Sequence, residues 1–124
     1  MKTIAIIGCG RICNLSHLPQ LTQMKDVQIK YVCDIIGEKA QAAKENFVPN
    51  AQAITDYKVA LADQEVDGVF VLTPNYAHYT ITMDALKAGK NVFCEKPITV
   101  DYKKSVAMAK EAEKQNKIFQ TCLI

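Results

Sequence analysis

No apolar run in this 124-residue chain reaches the roughly 18 residues that a bilayer-spanning helix requires. The N-terminus, MKTIAIIGCGR, also lacks the long apolar core and the A-x-A site of a secretory leader. A cytosolic protein is expected. An excess of one charge is missing too: 15 basic and 13 acidic residues leave a formal net charge of +2, scattered rather than blocked. That removes the electrostatic case for nucleic acid or an anionic membrane as a partner. Histidine is scarce, with two in the chain. Cys13 and His17 stand four apart on an expected helix, but zinc needs three or four ligands, so packing on a helix face is the expectation and no metal site is assigned. The five cysteines, Cys9, Cys13, Cys33, Cys94 and Cys122, are odd in number and contain no C-x-x-C pair. Most fall in or beside apolar runs and read as small buried hydrophobes in a reducing compartment. Repeats, low-complexity tracts and linkers are absent, and the 49% hydrophobic content suits one globular domain over residues 1–124. Such a chain should bury about two thirds of its unfolded surface.

What is present begins with MKTIAIIGCGRICN. The apolar run Thr3 to Ile7 meets Gly8, Cys9 and Gly10, and a helical pattern starts at Arg11, Ile12 and Cys13. Strand, glycine turn and helix in that order let a backbone lie against a pyrophosphate, which sits on the free N–H groups at the helix start. The pattern sought is G-x-G-x-x-G, and Cys13 stands where its third glycine would be. The acidic partner expected about 20 residues on is Asp34, which ends the strand Gln28 to Cys33. A carboxylate there accepts both hydroxyls of an adenosine ribose and repels a 2′-phosphate. NAD is therefore favoured over NADP, and Ile35 and Ile36 after Asp34 offer no basic or hydroxyl side chain to welcome the phosphate.

Further along, Leu15, Leu18, Leu21 and Met24 recur at helical spacing, with a break expected at Ser16 to Gln20 because Pro19 cannot donate into a helix. A helix over Gly37 to Phe47 follows with Ala40, Ala43 and Phe47 on one face, then a short strand at Ala51 to Ile54 and a brief helix capped by Asp56 that carries Val59, Ala60 and Leu61. The run Gly68 to Leu72 lacks alternation, as a parallel strand covered on both faces should. Tyr76 to Ala88 reads as a helix with Asn75 as N-cap, Gly89 as C-cap, and Tyr79, Met83 and Leu86 along one side. The strand Asn91 to Cys94 runs into Glu95, Lys96 and Pro97. Asp101 caps a last helix to about Gln115 with Tyr102, Val106 and Ala109 on one stripe, before a final strand at Ile118 to Ile124. Strands and helices alternate at crossover lengths, which predicts a doubly wound parallel sheet of the Rossmann kind. Ligands in such sheets gather at the carboxyl ends of the strands, so Gly8 to Ile12, Asp34, Thr73 to Asn75 and Glu95 to Pro97 should share one crevice.

The segment TPNYAHYTITMDALKAGKNVFCEKPIT, residues 73 to 99, resembles the signature of the Gfo/Idh/MocA family of glucose-fructose oxidoreductases and inositol dehydrogenases. The resemblance extends over the whole chain, from GCGRI through HLP at His17 to Pro19 and VCD at Val32 to Asp34 to EKP at Glu95 to Pro97. It implies an N-terminal Rossmann domain joined to a separate C-terminal domain that binds a sugar or cyclitol. It also implies roles: Gly8 and Gly10 with the amides of Arg11 and Ile12 on the pyrophosphate, and Asp34 on the adenosine ribose. Thr73, Pro74 and Asn75 would line the dinucleotide's path with His78 nearby, and Glu95, Lys96 and Pro97 would lie on the nicotinamide side. Lys96 is the expected catalytic group, because a cation beside the reacting oxygen stabilises developing alkoxide charge and a desolvated ammonium can shed its proton near neutrality.

Two departures from that pattern carry consequences. Cys13, in place of a small residue, predicts a displaced first helix and weaker cofactor binding. The chain also stops in the apolar run IFQTCLI, before any substrate domain. A fragment of a longer two-domain oxidoreductase is expected, with little turnover of its own, because nothing here orients a substrate. Uncovered apolar surface predicts a homodimer. The alternative from another class is a non-catalytic dinucleotide-binding sensor or interaction module. An S-adenosylmethionine methyltransferase is disfavoured, since EKP and TPN have no use in that chemistry.

Overall fold

The computed structural model describes residues 2–9, 23, 26–72, 75–94 and 102–121, and within them all side chains but those of 75–78, 94, 102–105 and 119–121. The elements in chain order are β1 (Lys2–Ile7), β2 (Val27–Cys33), α1 (Gly37–Phe47), β3 (Gln52–Ile54), α2 (Tyr57–Ala62), β4 (Gly68–Val71), α3 (Asn75–Lys87), β5 (Asn91–Cys94), α4 (Tyr102–Gln115) and β6 (Phe119–Thr121). The strands form one six-stranded sheet in the order β3-β2-β1-β4-β5-β6, and every neighbouring pair is parallel. This is the expected doubly wound sheet. Its strand order reverses between β1 and β4, the place at which sheets of this kind bind their ligands.

Alternation along the central strand assigns the two faces. Ala5 and Ile7 of β1 pack with Tyr31, Cys33, Val69, Val71 and the helix residues Ile81, Ala85 and Leu86. Ile4 and Ile6 point the other way, onto Ile29, Val32 and Ala43. Both sets are buried, which is why these strands read as unbroken apolar runs rather than as every second residue. The β1–β2 register slips between Ile4 and Ala5, where Ile4 faces Ile29 and Ala5 faces Tyr31. Lys30 is the extra residue of this bulge, and it reverses the phase of β2, so Ile29 and Val32, three apart, share a face.

Helix ends follow local chemistry. Asp56 caps α2, its carboxylate accepting from Lys58 N–H at 3.0 Å. Past α3, Gly89 takes φ 79°, and the N–H groups of Gly89 and Lys90 return to the carbonyls of Leu86 and Ala85 at 3.0 Å each. Asn116 repeats the device after α4 with φ 56°, its N–H and that of Lys117 bonding to Glu113 and Ala112 carbonyls.

Some expectations need correction. Helix α3 begins at Asn75, so that residue is inside the helix rather than before it. On α4 the buried side chains are Met108 and Ala112, while Val106 is half-buried and Ala109 exposed. That helix packs on α3 as well as on the sheet edge, which rotates its covered stripe by about one residue, roughly 100°. Helix α2 carries Val59, Ala60 and Leu61 as expected, with Ala60 buried and Val59 exposed. The helix expected after the glycine turn, the break at Ser16 to Gln20, the Asp101 cap and residues 122–124 lie outside the described residues.

Candidate functional site

Parallel pairing brings the strand ends into one row. Ile54, Cys33, Ile7, Val71, Cys94 and Thr121 are successive partners across the sheet. Gly8 and Asp34 are the residues that follow Ile7 and Cys33, so they leave the sheet at the same edge. Gly8 turns with φ 101°, a conformation open to glycine and strained for a residue with Cβ. The turn is tied to β2 by Gly8 N–H donating to the Cys33 carbonyl at 2.7 Å, and on its other side Leu72 N–H donates to the Ile7 carbonyl at 2.7 Å.

Asp34 sits half-buried just beyond β2. Its own N–H donates to the Ile54 carbonyl at 3.1 Å, which anchors the backbone to β3. One carboxylate oxygen, Oδ2, accepts from Cys9 N–H at 2.9 Å, and Oδ1 accepts from Ile36 N–H at 2.9 Å. The carboxylate is thereby aimed across the top of β1. Ile35 and Ile36 beside it are solvent-exposed, 83% and 48%, and carry no charge.

Cys9 and Cys33 are buried free thiols, as expected of small hydrophobes. Cys9 Sγ donates to the Cys33 carbonyl at 3.4 Å. Burial, with smaller contributions from Cys9, Asp34 and Asp56 nearby, pushes the Cys33 thiol up to about 12, so it stays protonated and unreactive at neutral pH.

Of the residues marked from sequence, the structure thus brings Gly8 and Asp34 together at the switch point. Asn75 and His78 belong to α3 by backbone, the first residue and one turn in, with side chains outside the described set. Gly10, Arg11, Ile12, Thr73, Pro74, Glu95, Lys96 and Pro97 lie outside the described residues. Sequence reasoning missed the part played by Cys9, whose amide is the donor that links the turn to Asp34. No local signal announces a bond between residues 25 apart. A groove of ≈ 350 Å³ between α1 and α2, bordered by Gly37, Ala40, Ile54, Thr55, Asp56 and Val59, contains none of the marked residues. Among the described residues no helix is long and apolar enough to cross a membrane.

Comparison with known proteins agrees with this geometry. Residues 2–122 match the model of an oxidoreductase family described as having an NAD-binding Rossmann fold. The chain is 42% identical over 101 residues to an inositol 2-dehydrogenase/D-chiro-inositol 3-dehydrogenase of Lactiplantibacillus plantarum, covering 81% of this chain and 29% of that protein. It is 34% identical over 115 residues to a D-glucoside 3-dehydrogenase of Escherichia coli, covering 93% and 32% respectively. Among solved structures, an NAD-binding protein from Listeria innocua superimposes with a TM-score of 0.87 at 32% identity, covering 97% of this chain and 34% of that one. A 3-ketoreductase from Actinomadura kijaniata, in complex with NADP and TDP-benzene, gives a TM-score of 0.90 at 25% identity, covering 97% and 36%. The chain spans about a third of the length of each.

Proposed function

Because the chain belongs to the oxidoreductase family with an NAD-binding Rossmann fold, we propose that it is the cofactor-binding part of an enzyme that moves hydride between a nicotinamide dinucleotide and a hydroxyl or carbonyl of a sugar or cyclitol. The observation that carries this reading is the pairing of Gly8, in a conformation suited to glycine, with the Asp34 carboxylate at the reversal of strand order. A dinucleotide fits these residues: the turn presents backbone rather than side chains to a pyrophosphate, and Asp34 keeps acceptor capacity for a ribose. Gly8, Gly10, Arg11 and Ile12 would hold the pyrophosphate, Asp34 the adenosine ribose, and Thr73, Pro74, Asn75 and His78 the stretch between. Glu95, Lys96 and Pro97 would meet the nicotinamide half.

The cofactor, when bound, supplies the hydride chemistry. The chain's own contribution at the reacting centre is Lys96, whose ammonium would stabilise the alkoxide formed at the carbinol and, once deprotonated, take the hydroxyl proton. The relatives named above are about three times longer, and their remaining length would supply the substrate pocket. These 124 residues are accordingly one dinucleotide-binding domain expected to bind cofactor and to turn over little. A cytoplasmic location and a homodimer through exposed sheet or nicotinamide-side surface complete the proposal; light scattering that gives a monomer across a wide concentration range refutes the dimer.

NAD is the preferred cofactor in this reading, although the A. kijaniata relative was crystallised with NADP. Asp34 repels a 2′-phosphate, and neither Ile35 nor Ile36 compensates for that charge. The test is calorimetric titration with NAD⁺, NADH, NADP⁺ and NADPH, on the wild type and on Asp34→Ala. Saturable NAD(H) binding tighter than NADP(H), with the preference lost in the variant, is the expected result. Binding of none of the four overturns the proposal, and equal affinity for both pairs overturns the cofactor preference.

A further inference from the structure

We infer that Asp34 has a second task, which rests on the dinucleotide reading above: its carboxylate positions the glycine turn itself, independently of any ribose that it holds. The Cys33-Asp34 pair at the end of β2 grips the turn at three points. The Cys33 carbonyl accepts from Gly8 N–H at 2.7 Å and from Cys9 Sγ at 3.4 Å, and Asp34 Oδ2 accepts from Cys9 N–H at 2.9 Å. Cys9 is 1% exposed, so its amide has no bulk water to fall back on, and a buried N–H without a partner is costly. A hydrogen bond to an ionised acceptor is roughly twice as strong as a neutral one, which makes the carboxylate the firmest of the three ties.

The two tasks are compatible because each carboxylate oxygen has two acceptor sites. Among the described residues, backbone N–H groups of Cys9 on Oδ2 and Ile36 on Oδ1 occupy one site on each, and the second site on each suits a ribose hydroxyl. In Asp34→Ala both backbone N–H groups lose their acceptor, and that of Cys9, in a residue 1% exposed, has no bulk water to replace it. The carboxylate also fixes which amides remain for the pyrophosphate. The N–H of Cys9 is committed to Asp34, which takes it out of the set of donors for the phosphates.

ADP and 2′,3′-dideoxy-ADP separate the tasks, since the dideoxy nucleotide has no ribose hydroxyl for Asp34 to hold. Both are titrated calorimetrically into the 124-residue wild type and into Asp34→Ala. A positioning role predicts that the variant binds dideoxy-ADP about tenfold more weakly than the wild type does, the equivalent of one lost charge-assisted bond. Equal affinity of the two proteins for dideoxy-ADP overturns the inference. Amide hydrogen exchange tests it without any nucleotide. The Cys9 amide should be protected in the wild type and exchange about tenfold faster in the variant, with Ile6 and Val32 in the adjoining strands unchanged. A freely exchanging Cys9 amide in the wild type overturns the positioning role whether or not the variant folds. Protection of Cys9 in a chain that binds no nucleotide supports the positioning role and refutes the dinucleotide reading, so the two failures are distinguishable.

Discussion

Replacing Gly8 by alanine puts a Cβ on a backbone held at φ 101°, and two other glycines calibrate the cost. Gly89, at φ 79°, has no heavy atom within 4 Å of an added Cβ, so Gly89→Ala reports the conformational strain alone. Gly37 lies outside the left-handed region, and its added Cβ would meet Thr55 Cγ2 at an ordinary 3.5 Å, so Gly37→Ala is the unstrained control. An L-residue forced into such a sparsely populated region loses about 1–3 kcal/mol. Alanine recovers about 0.4–1 kcal/mol of this by restricting the unfolded chain. The net loss for Gly8→Ala and Gly89→Ala is therefore about 0–2.6 kcal/mol, while Gly37→Ala gains up to about 1 kcal/mol. At roughly 2.1 cal/mol/K of unfolding entropy per residue, 1 kcal/mol moves the melting temperature of a 124-residue chain by about 4 °C. Thermal melts should thus fall by up to about 10 °C for Gly8→Ala and Gly89→Ala and hold or rise for Gly37→Ala. Titration with NADH then distinguishes the two strained variants: Gly89→Ala retains binding and Gly8→Ala loses it. A Gly8→Ala chain that melts at or above the wild-type temperature and binds NADH normally would refute the reasoning.

Two further predictions concern Lys96 and Asp63. Where turnover is measurable, Lys96→Ala should lower kcat by about 10²-fold or more while saturable NADH binding persists, as loss of an acid–base group does; an unchanged kcat removes Lys96 from the chemistry. Asp63 is held down to about 2 by Lys30, by the Tyr31 hydroxyl and by the N–H of Glu65. Lys30 Nζ lies 2.6 Å from its Oδ2, and the Tyr31 hydroxyl donates to the same oxygen at 2.7 Å. A carboxylate depressed in the folded state contributes stability that is fully present above its ordinary value near 3.8 and is lost as pH falls toward about 2. Urea melts between pH 5 and pH 2 should show this loss in the wild type and a flatter limb in Asp63→Asn, and parallel decline of the two would contradict it.

The elements were legible in the sequence because the signals that define them are local. Thr3 to Ile7 reads as a strand from its apolar run, Asp56 and Gly89 mark helix ends through bonds to backbone groups within a few residues, and Gly8 marks a turn that takes a positive φ. Where locality fails, so does the reading. The α4 stripe through Tyr102, Val106 and Ala109 follows helical spacing, but packing on α3 covers Met108 and Ala112 instead, and no pattern within one helix reveals its neighbour.

The chain alone determined the alternation of strand and helix, the glycine at the first turn and the carboxylate after the second strand, since these rest on backbone conformation and side-chain type over short spans. Tertiary structure decided what those residues touch. Pairing β1 with β2 through a bulge at Lys30 sets Ile7 against Cys33 and so brings Cys9 N–H to Asp34. The same bulge places Lys30 beside residues 33 and 35 positions away, Asp63 and Glu65. The order of strands across the sheet aligns six strand ends at one edge. Contacts of that range depend on which strands pair and in what register, a property of the assembled sheet that no short stretch of residues contains.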